Sequence, residues 1–320
     1  MSWMPAGTIE IAKSRAAMLG RARSYFSARN VLEVITPALQ PTTVTDPHIA
    51  SFEVNHGGRR RYLHTSPEYC MKRLLAAGYP DIYQICNVFR DGEAGRLHLA
   101  EFTMIEWYRR DFNLQEIMRD AVGLIDGLIE DRNFADPEFL SYAEAFQQSL
   151  SVDPLTADSG LLAKLLNADS ELRRSLGNAT DAWLDLAMAT RVAENFAADR
   201  LTVIYHYPAS QAALAQLCPG DPRIADRFEV YFGQIELANG FVELTDADAQ
   251  LQRFERDNQS RKAAGQSVID IDNDLLDALR AGLPNSAGVA LGLDRVLMIN
   301  EAQSDIRDVT NFLPGGHDER

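Results

Sequence analysis

The fold of this 320-residue chain is decided by two strand-like segments, residues 82–90 (IYQICNVFR) and 101–108 (EFTMIEWY). Both are rich in β-branched and aromatic residues, and the polar residues 91–98 separate them. This pattern predicts an antiparallel hairpin with a long loop. Alternation along the second strand places four side chains on one face: Phe102, Met104, Glu106 and Tyr108. Because a ring, a carboxylate and a phenol share that face, we expect a binding site there.

Further helices and strands are predicted on both sides of this hairpin. Periodicity and capping signals indicate helices over residues 9–30, 65–78, 246–265 and 272–282. Extended segments are predicted at residues 31–35, 201–207, 227–233, 235–245 and 288–292, and residues 113–200 are mostly helical. Thr65 and Glu68 have the spacing of a capping box at the start of the second helix. Antiparallel strands interspersed with helices predict an α+β fold rather than a doubly wound parallel sheet.

Composition and charge exclude several classes of protein. With 46% apolar and 24% charged residues, the chain can bury a sizeable core, which excludes disorder as its main state. A formal charge of −15 at pH 7 would repel a polyanion, so we do not expect a nucleic-acid-binding protein. Cys70, Cys86 and Cys218 lack Cys-x-x-Cys spacing, which predicts neither a disulfide framework nor a thiolate zinc site. Without a leader or an apolar run of about 18 residues, we expect a cytoplasmic protein with no membrane partner.

The end of the first hairpin strand is a candidate nucleotide site. Arg90 ends that strand, and His98 and Phe102 lie just across the loop. A guanidinium, an imidazole and a ring that converge at a hairpin mouth suit a nucleotide, with the arginine on phosphate and the ring on the base. The alternative is a solvated arginine at a strand end.

Two glutamates in the later strands are candidate metal ligands. A turn at residues 233–234 predicts that Glu229 and Glu236 are cross-strand neighbours. Opposed carboxylates are destabilising unless a cation compensates them, and magnesium accepts carboxylate and phosphate oxygens. The alternative is a pair of exposed strand glutamates without a ligand.

A weaker indication of a binding site than the two above is the segment Gly288-x-Ala290-x-Gly292-Leu293-Asp294-Arg295. Arg295, at the start of a helix, would offer a second guanidinium to phosphate or to the face of a base. The alternative is that the glycines only allow close backbone packing.

Several segments together resemble the class II aminoacyl-tRNA synthetases. Residues 31–37 are similar to motif one of that family, residues 89–108 to motif two and residues 288–295 to motif three. Residues 66–74 and 236–244 are similar to the amino-acid pocket of its lysyl branch. The resemblance implies an antiparallel sheet flanked by helices. Because motif one begins near residue 31, we expect one catalytic domain over residues 1–320 and no anticodon-binding domain.

The resemblance also implies ATP and magnesium as cofactors. Arg90 and Arg295 would be catalytic, and Glu229 and Glu236 would bind the metal. The residues that would bind ATP are Arg90, Asp91, Gly92, His98, Leu99, Phe102, Glu236, Leu237, Gly292 and Arg295. The family usually has larger polar side chains at Gly92 and Leu99, so we expect weaker ATP binding without loss of the chemistry.

The amino-acid pocket implied by the resemblance is acidic. Its residues would be Ser66, Pro67, Glu68, Glu106, Tyr108, Asn239, Phe241, Glu243 and Ala290. Several carboxylates suit a substrate with two ammonium groups, because another substrate would leave buried charges unpaired. Lysyl-tRNA synthetases commonly have glycine in place of Ala290. We therefore expect the extra methyl group to favour β-lysine over lysine.

A lysyl-type catalytic domain of this size resembles the lysyltransferases that modify a lysine of elongation factor P. The expected partners are that acceptor protein, lysine or β-lysine, and a second copy of the chain bound through the first helix and residues 31–37. No tRNA is expected. Two alternatives are a synthetase-like enzyme that acylates tRNA or a small amine, and a catalytically silent relative that acts as a regulatory subunit.

Overall fold

The computed structural model describes residues 4–130 and 134–313. The described helices are α1 (Ile9–Ser27), α2 (Glu68–Ala76), α3 (Leu114–Leu128), α4 (Tyr142–Leu150), α5 (Ser159–Leu165), α6 (Ser170–Leu176), α7 (Thr180–Ala187), α8 (Ala247–Ala263), α9 (Asn273–Gly282) and α10 (Leu293–Asn300). The strands are β1 (Leu32–Glu33), β2 (Leu39–Gln40), β3 (Glu53–His56), β4 (Arg59–Leu63), β5 (Ile82–Phe89), β6 (Glu101–Arg110), β7 (Glu138–Ser141), β8 (Leu201–Pro208), β9 (Ile224–Phe232), β10 (Ile235–Val242) and β11 (Ser286–Gly292).

The chain divides into two compact units. The first comprises Met1–Asn113, Gly123–Arg132 and Thr245–Arg320, and the second comprises Leu114–Val122 and Asn133–Leu244. The prediction of a single catalytic domain over residues 1–320 stays a prediction.

The main sheet of the first unit has four strands of that unit, in the order β1–β5–β6–β11. β5, β6 and β11 are antiparallel neighbours, whereas the short strand β1 pairs with β5 in parallel. α1 packs against this sheet through Phe26, whose ring stacks on Tyr83 at a centroid distance of 4.2 Å and lies 5.6 Å from the Trp107 ring. A smaller antiparallel sheet, β2–β4–β3, belongs to the same unit.

The second unit contains four strands in the order β10–β9–β8–β7. β8, β9 and β10 are antiparallel neighbours, and β7 pairs with β8 in parallel. Helices α4 to α7 pack on this sheet around a buried core that includes Phe146, Trp183 and Ile204. Most of the stabilisation of this unit therefore comes from burial of large apolar side chains.

The predicted α+β class is confirmed, as are the first helix and the hairpin of β5 and β6. The predicted capping box is wrong. The Glu68 backbone N–H instead donates to Ser66 Oγ at 3.0 Å. The Glu68 carboxylate pairs with Lys72, one turn later in α2, and not with Thr65.

Two features bear on the environment of the protein. Cys70, Cys86 and Cys218 are free thiols. Among the residues described, no helix has both the length and the apolar character that a membrane crossing requires.

Candidate active site

One face of the first unit's sheet collects many of the predicted site residues. The register places Glu106 directly opposite Ala290, and it pairs Tyr108 with Gly288 and Met104 with Gly292. Directly paired residues share a face, so β11 contributes only small side chains beside the carboxylate and phenol of β6. This arrangement leaves space above the strand and confirms the predicted alternation along β6.

Glu106 is the most deeply buried carboxylate of this face, with 2% of its surface exposed. Tyr108 Oη donates to Glu106 Oε1 and Ser66 Oγ donates to Oε2, both at 2.8 Å. Burial, and then the charge of Glu68, raise the pKa of Glu106 to about 8. Burial therefore favours the protonated form of Glu106 in the free site, and a bound ammonium group would favour loss of the proton.

The second carboxylate of the pocket has a partner within the chain. Lys72 Nζ lies 2.6 Å from Glu68 Oε1, and the Lys72 side chain is 2% exposed. Sequence analysis missed Lys72 as a site residue, although an acid and a base four residues apart on a helix are a known pairing signal. One of the two carboxylates is thus neutralised before any substrate arrives.

Gln84 is a further residue that sequence analysis missed. It pairs with Glu106 from β5, so Gln84, Glu106 and Ala290 form one row across three strands. Gln84 is 2% exposed, and its Oε1 has no hydrogen-bond partner among the described residues. A buried amide oxygen without a partner is costly, and an incoming N–H donor would satisfy it. The hairpin was predicted without a register, so the sequence did not place Gln84 opposite Glu106.

The Arg90 side chain lies over the predicted base-stacking residue. Its guanidinium carbon is 5.2 Å from the centre of the Phe102 ring, and Nη1 is 3.4 Å from Glu93 Oε1. Arg90 Nε is buried and has no hydrogen-bond partner among the described residues. The guanidinium is held in place yet retains a donor for an anion.

The second predicted arginine meets the predicted histidine. Arg295 Nη2 lies 2.8 Å from His98 Nε2, and Arg295 Nε donates to the Leu97 carbonyl at 3.1 Å. Partial desolvation, and then the Arg295 charge, lower the pKa of His98. The imidazole is therefore neutral at pH 7 and accepts from the guanidinium.

Four other residues predicted to bind ATP lie close to these in the chain. Gly92 is exposed and has a φ of +77°, a conformation that suits glycine, and Asp91 donates its N–H to the Ala50 carbonyl. Leu99 is buried, and Gly292 immediately precedes α10. Their nucleotide contacts stay a prediction.

The predicted pairing of Glu229 with Glu236 is wrong. In the register of β9 and β10, Glu229 lies opposite Asn239 and Glu236 lies opposite Tyr231. Counting through the turn from the Phe232–Ile235 pair already places Glu236 opposite Tyr231, and a bulge between Glu236 and Ala238 then shifts the register by one residue, so that Glu229 lies opposite Asn239.

Glu229 already has three hydrogen-bond partners from its own unit. Arg227 Nη2 lies 2.5 Å from Oε1, and Tyr207 Oη donates to Oε2 at 2.7 Å. Tyr231 also donates to Oε2. Burial and the Glu229 charge raise the pKa values of both phenols, so both remain donors. A carboxylate that binds an arginine and two phenols does not fit the role of a magnesium ligand, because the cation would have to displace the guanidinium.

The other predicted residues of the second unit have varied environments. Asn239 Oδ1 lies 3.4 Å from Arg227 Nε, and Phe241 packs against Ala212, Ala215 and Ala225. Glu243 is 1% exposed, Leu237 is buried and Glu236 is half-buried. In the first unit, Pro67 precedes α2 and is buried.

A family model for the tRNA synthetases class II (D, K and N) matches residues 3–314. The chain belongs to this class II synthetase family. Chains named elongation factor P--(R)-beta-lysine ligase are similar to it over nearly their whole length. The protein of Erwinia tasmaniensis is 45% identical over 320 residues, and that of Enterobacter sp. is 45% identical over 324 residues. The protein of Klebsiella pneumoniae is 44% identical over 324 residues, and each alignment covers 97% of both chains.

Membership of the class II synthetase family confirms the resemblance inferred from residues 31–37, 89–108 and 288–295. The individual roles of the site residues stay predictions.

Proposed function

We propose that this protein is an ATP-dependent ligase that activates (R)-β-lysine or lysine and transfers it to a lysine ε-amine of elongation factor P. The observation that carries the proposal is the identity of about 45% with ligases of that name over 97% of both chains. The charges and contacts of the first unit support the activation step.

The acidic pocket supports a substrate with two ammonium groups. Glu68 is paired with Lys72, so Glu106 is the pocket carboxylate of the first unit that remains for a substrate cation. A neutral or acidic amino acid brings no second ammonium group to this position, so it would gain no charge interaction with Glu106. Gln84 Oε1 and Tyr108 Oη add an acceptor and a hydroxyl on the same face.

The two arginines support chemistry on a nucleotide. The substrate carboxylate attacks the α-phosphorus of ATP, the bond to pyrophosphate breaks, and an acyl-adenylate forms. Arg90 stabilises the negative charge at the α-phosphate, while Phe102 stacks on the base and Arg295 binds the outer phosphates. No general base is needed for this step, because the carboxylate is already nucleophilic.

Transfer completes the reaction. The acceptor ε-amine attacks the carbonyl carbon of the adenylate, an amide forms, and AMP leaves as the amine loses its proton. Both steps depend mainly on positioning and charge neutralisation. Because Glu229 does not fit a magnesium ligand, we assign no step to a metal at that residue.

We further propose that the protein acts as a cytoplasmic homodimer and does not use tRNA. Ile35 is 92% exposed and Leu32 is 45% exposed, and exposed apolar residues of this kind mark interaction surfaces. Three free thiols agree with a reducing compartment. Replacement of Ile35 by aspartate should dissociate the dimer in analytical ultracentrifugation. A wild-type protein that sediments as a monomer at micromolar concentration would refute the proposed dimer.

The experiment that tests the activation step is exchange of labelled pyrophosphate into ATP. We expect exchange with (R)-β-lysine or lysine and none with aspartate or leucine. Absence of exchange with every diamino acid would instead support a catalytically silent relative. Charging of bulk tRNA with lysine would support a synthetase that uses tRNA.

A further inference from the structure

A histidine, a cysteine and an aspartate cluster in the second unit, outside the residues assigned to the proposed reaction. His206 lies in β8, Cys218 in the segment that connects β8 to β9, and Asp226 in β9. One potential ligand atom from each residue lies within 4.8 Å of those of the other two. These are three different donors, a ring nitrogen, a sulfur and a carboxylate oxygen.

The backbone turns His206 toward the cluster. The register of β8 and β9 shifts between Tyr205 and Tyr207, and His206 in the shift has a φ of +59°. A non-glycine residue in the left-handed region is strained, and such strain concentrates at functional positions. Bulges redirect a side chain relative to its strand.

Asp226 is positioned as a ligand, and a hydrogen bond from Gln216 orients its carboxylate. It is 8% exposed, and Gln216 Nε2 donates to its Oδ2 at 2.9 Å. Its Oδ1 lies 3.6 Å from His206 Nε2, which is too long for a hydrogen bond. Two ligand atoms on one tetrahedral zinc ion are separated by about 3.3 Å, so a small movement brings both onto a metal. A hydrogen bond that orients a ligating carboxylate is typical of metal sites.

We propose that His206, Cys218 and Asp226 bind one zinc ion, with water as the fourth ligand. Thiolate and imidazole ligands favour zinc over magnesium, which prefers oxygen. The thiolate and the carboxylate together neutralise the dication, and the thiol proton is released on binding. The nearby Asp221 is occupied by Arg223, whose Nε lies 2.9 Å from Oδ1. The spacing of cysteines in the sequence predicted no such site, because the ligands come from three segments and include one cysteine.

Zinc at this position would fasten the segment between β8 and β9 to both strands. That segment also runs beside Glu243, a residue assigned to the substrate pocket. Gln216 N–H donates to the Val242 carbonyl at 2.9 Å, and Leu244 N–H donates to the Leu214 carbonyl at 3.1 Å. The metal would therefore stabilise the backbone around Glu243, a consequence that rests on the proposed function, whereas metal binding itself does not.

Metal stoichiometry and cobalt spectroscopy on the full chain test this proposal. After dialysis with zinc chloride and then metal-free buffer, wild type should retain roughly one zinc per chain, and Cys218→Ser less than about a tenth of that. Cobalt chloride should produce a thiolate-to-cobalt absorption band in wild type that is absent from Cys218→Ser. Cys70→Ser and Cys86→Ser are matched controls, because both thiols are half-buried like Cys218.

A second measurement needs no variant. Zinc should slow alkylation of Cys218 by iodoacetamide at least tenfold and leave the alkylation rates of Cys70 and Cys86 unchanged. Peptide mass spectrometry measures the three rates. Wild type that retains no zinc, a cobalt band that persists in Cys218→Ser, or alkylation of Cys218 that zinc does not affect would each overturn the site.

Discussion

Lys72 Nζ lies 2.6 Å from Glu68 Oε1 inside the acidic pocket of the first unit, and only 2% of the Lys72 side chain is exposed. Removal of one partner of a buried ion pair leaves an uncompensated charge and typically costs about 3–5 kcal/mol. Lys72→Met should therefore lower the free energy of unfolding in urea by several kcal/mol. Addition of Glu68→Gln to Lys72→Met should recover part of the loss, because no buried charge then remains. Strictly additive effects in this double-mutant cycle would show that the pair is not coupled.

The buried carboxyl group of Glu106 predicts a pH dependence of stability. Its pKa is raised from 4.5 to about 8 by burial and by Glu68, so the folded state binds an extra proton between these values. The stability that it contributes is complete below pH 4.5 and is lost as the pH rises to 8, by up to about 1.4 kcal/mol per pH unit. Urea unfolding between pH 5.5 and 8.5 should show this fall in wild type and not in Glu106→Gln. The control is Glu101→Gln on the opposite face of β6, which should retain the wild-type slope. A wild-type slope in Glu106→Gln would contradict the assignment.

Arg90 is expected to act in the activation step. Loss of its guanidinium removes charge stabilisation at the α-phosphate, so Arg90→Ala should slow pyrophosphate exchange by about 10²–10³-fold. Arg90→Lys should recover only part of the rate, because lysine lacks the planar fork. Arg59→Ala, at an exposed position in β4, is the control and should exchange at the wild-type rate. Equal rates for Arg90→Ala and Arg59→Ala would remove Arg90 from the reaction.

Ala290 is expected to influence the choice of lysine isomer. Its methyl group shares a face with Glu106, directly across the strand pair. Ala290→Gly should therefore raise activation of lysine relative to (R)-β-lysine in the exchange assay, by the 10-fold or more that one methyl group can supply. Ala287→Gly, on the other face of β11, should keep the wild-type ratio. An unchanged ratio in Ala290→Gly would exclude this role.

The local features of the fold could be predicted from the sequence. The periodicity of residues 9–30 located α1, and alternation in residues 101–108 located the face that holds Glu106 and Tyr108. Both signals depend only on neighbours along the chain. The parallel pairs of β1 with β5 and of β7 with β8 were not predicted, because non-local pairing leaves no periodic signal.

The electrostatics of the site were the least predictable part. The register of β9 and β10 places Glu229 opposite Asn239 and not opposite Glu236, and tertiary contacts give Glu229 the partners Arg227, Tyr207 and Tyr231. A count of acidic residues also overlooks Lys72, whose charge offsets Glu68 within the pocket. The residue types therefore indicated the class of substrate, whereas the partner of each charged side chain could be identified only from the structure.

The central claim is transfer of a lysine to elongation factor P, and intact mass spectrometry of that acceptor tests it most directly. Elongation factor P is incubated with this protein and ATP, separately with (R)-β-lysine and lysine. The account predicts a mass increase of one lysyl residue that requires ATP and is larger with (R)-β-lysine, and its loss when the acceptor lysine is replaced by arginine. An unmodified acceptor with both isomers, from a preparation that catalyses pyrophosphate exchange, would contradict the claim.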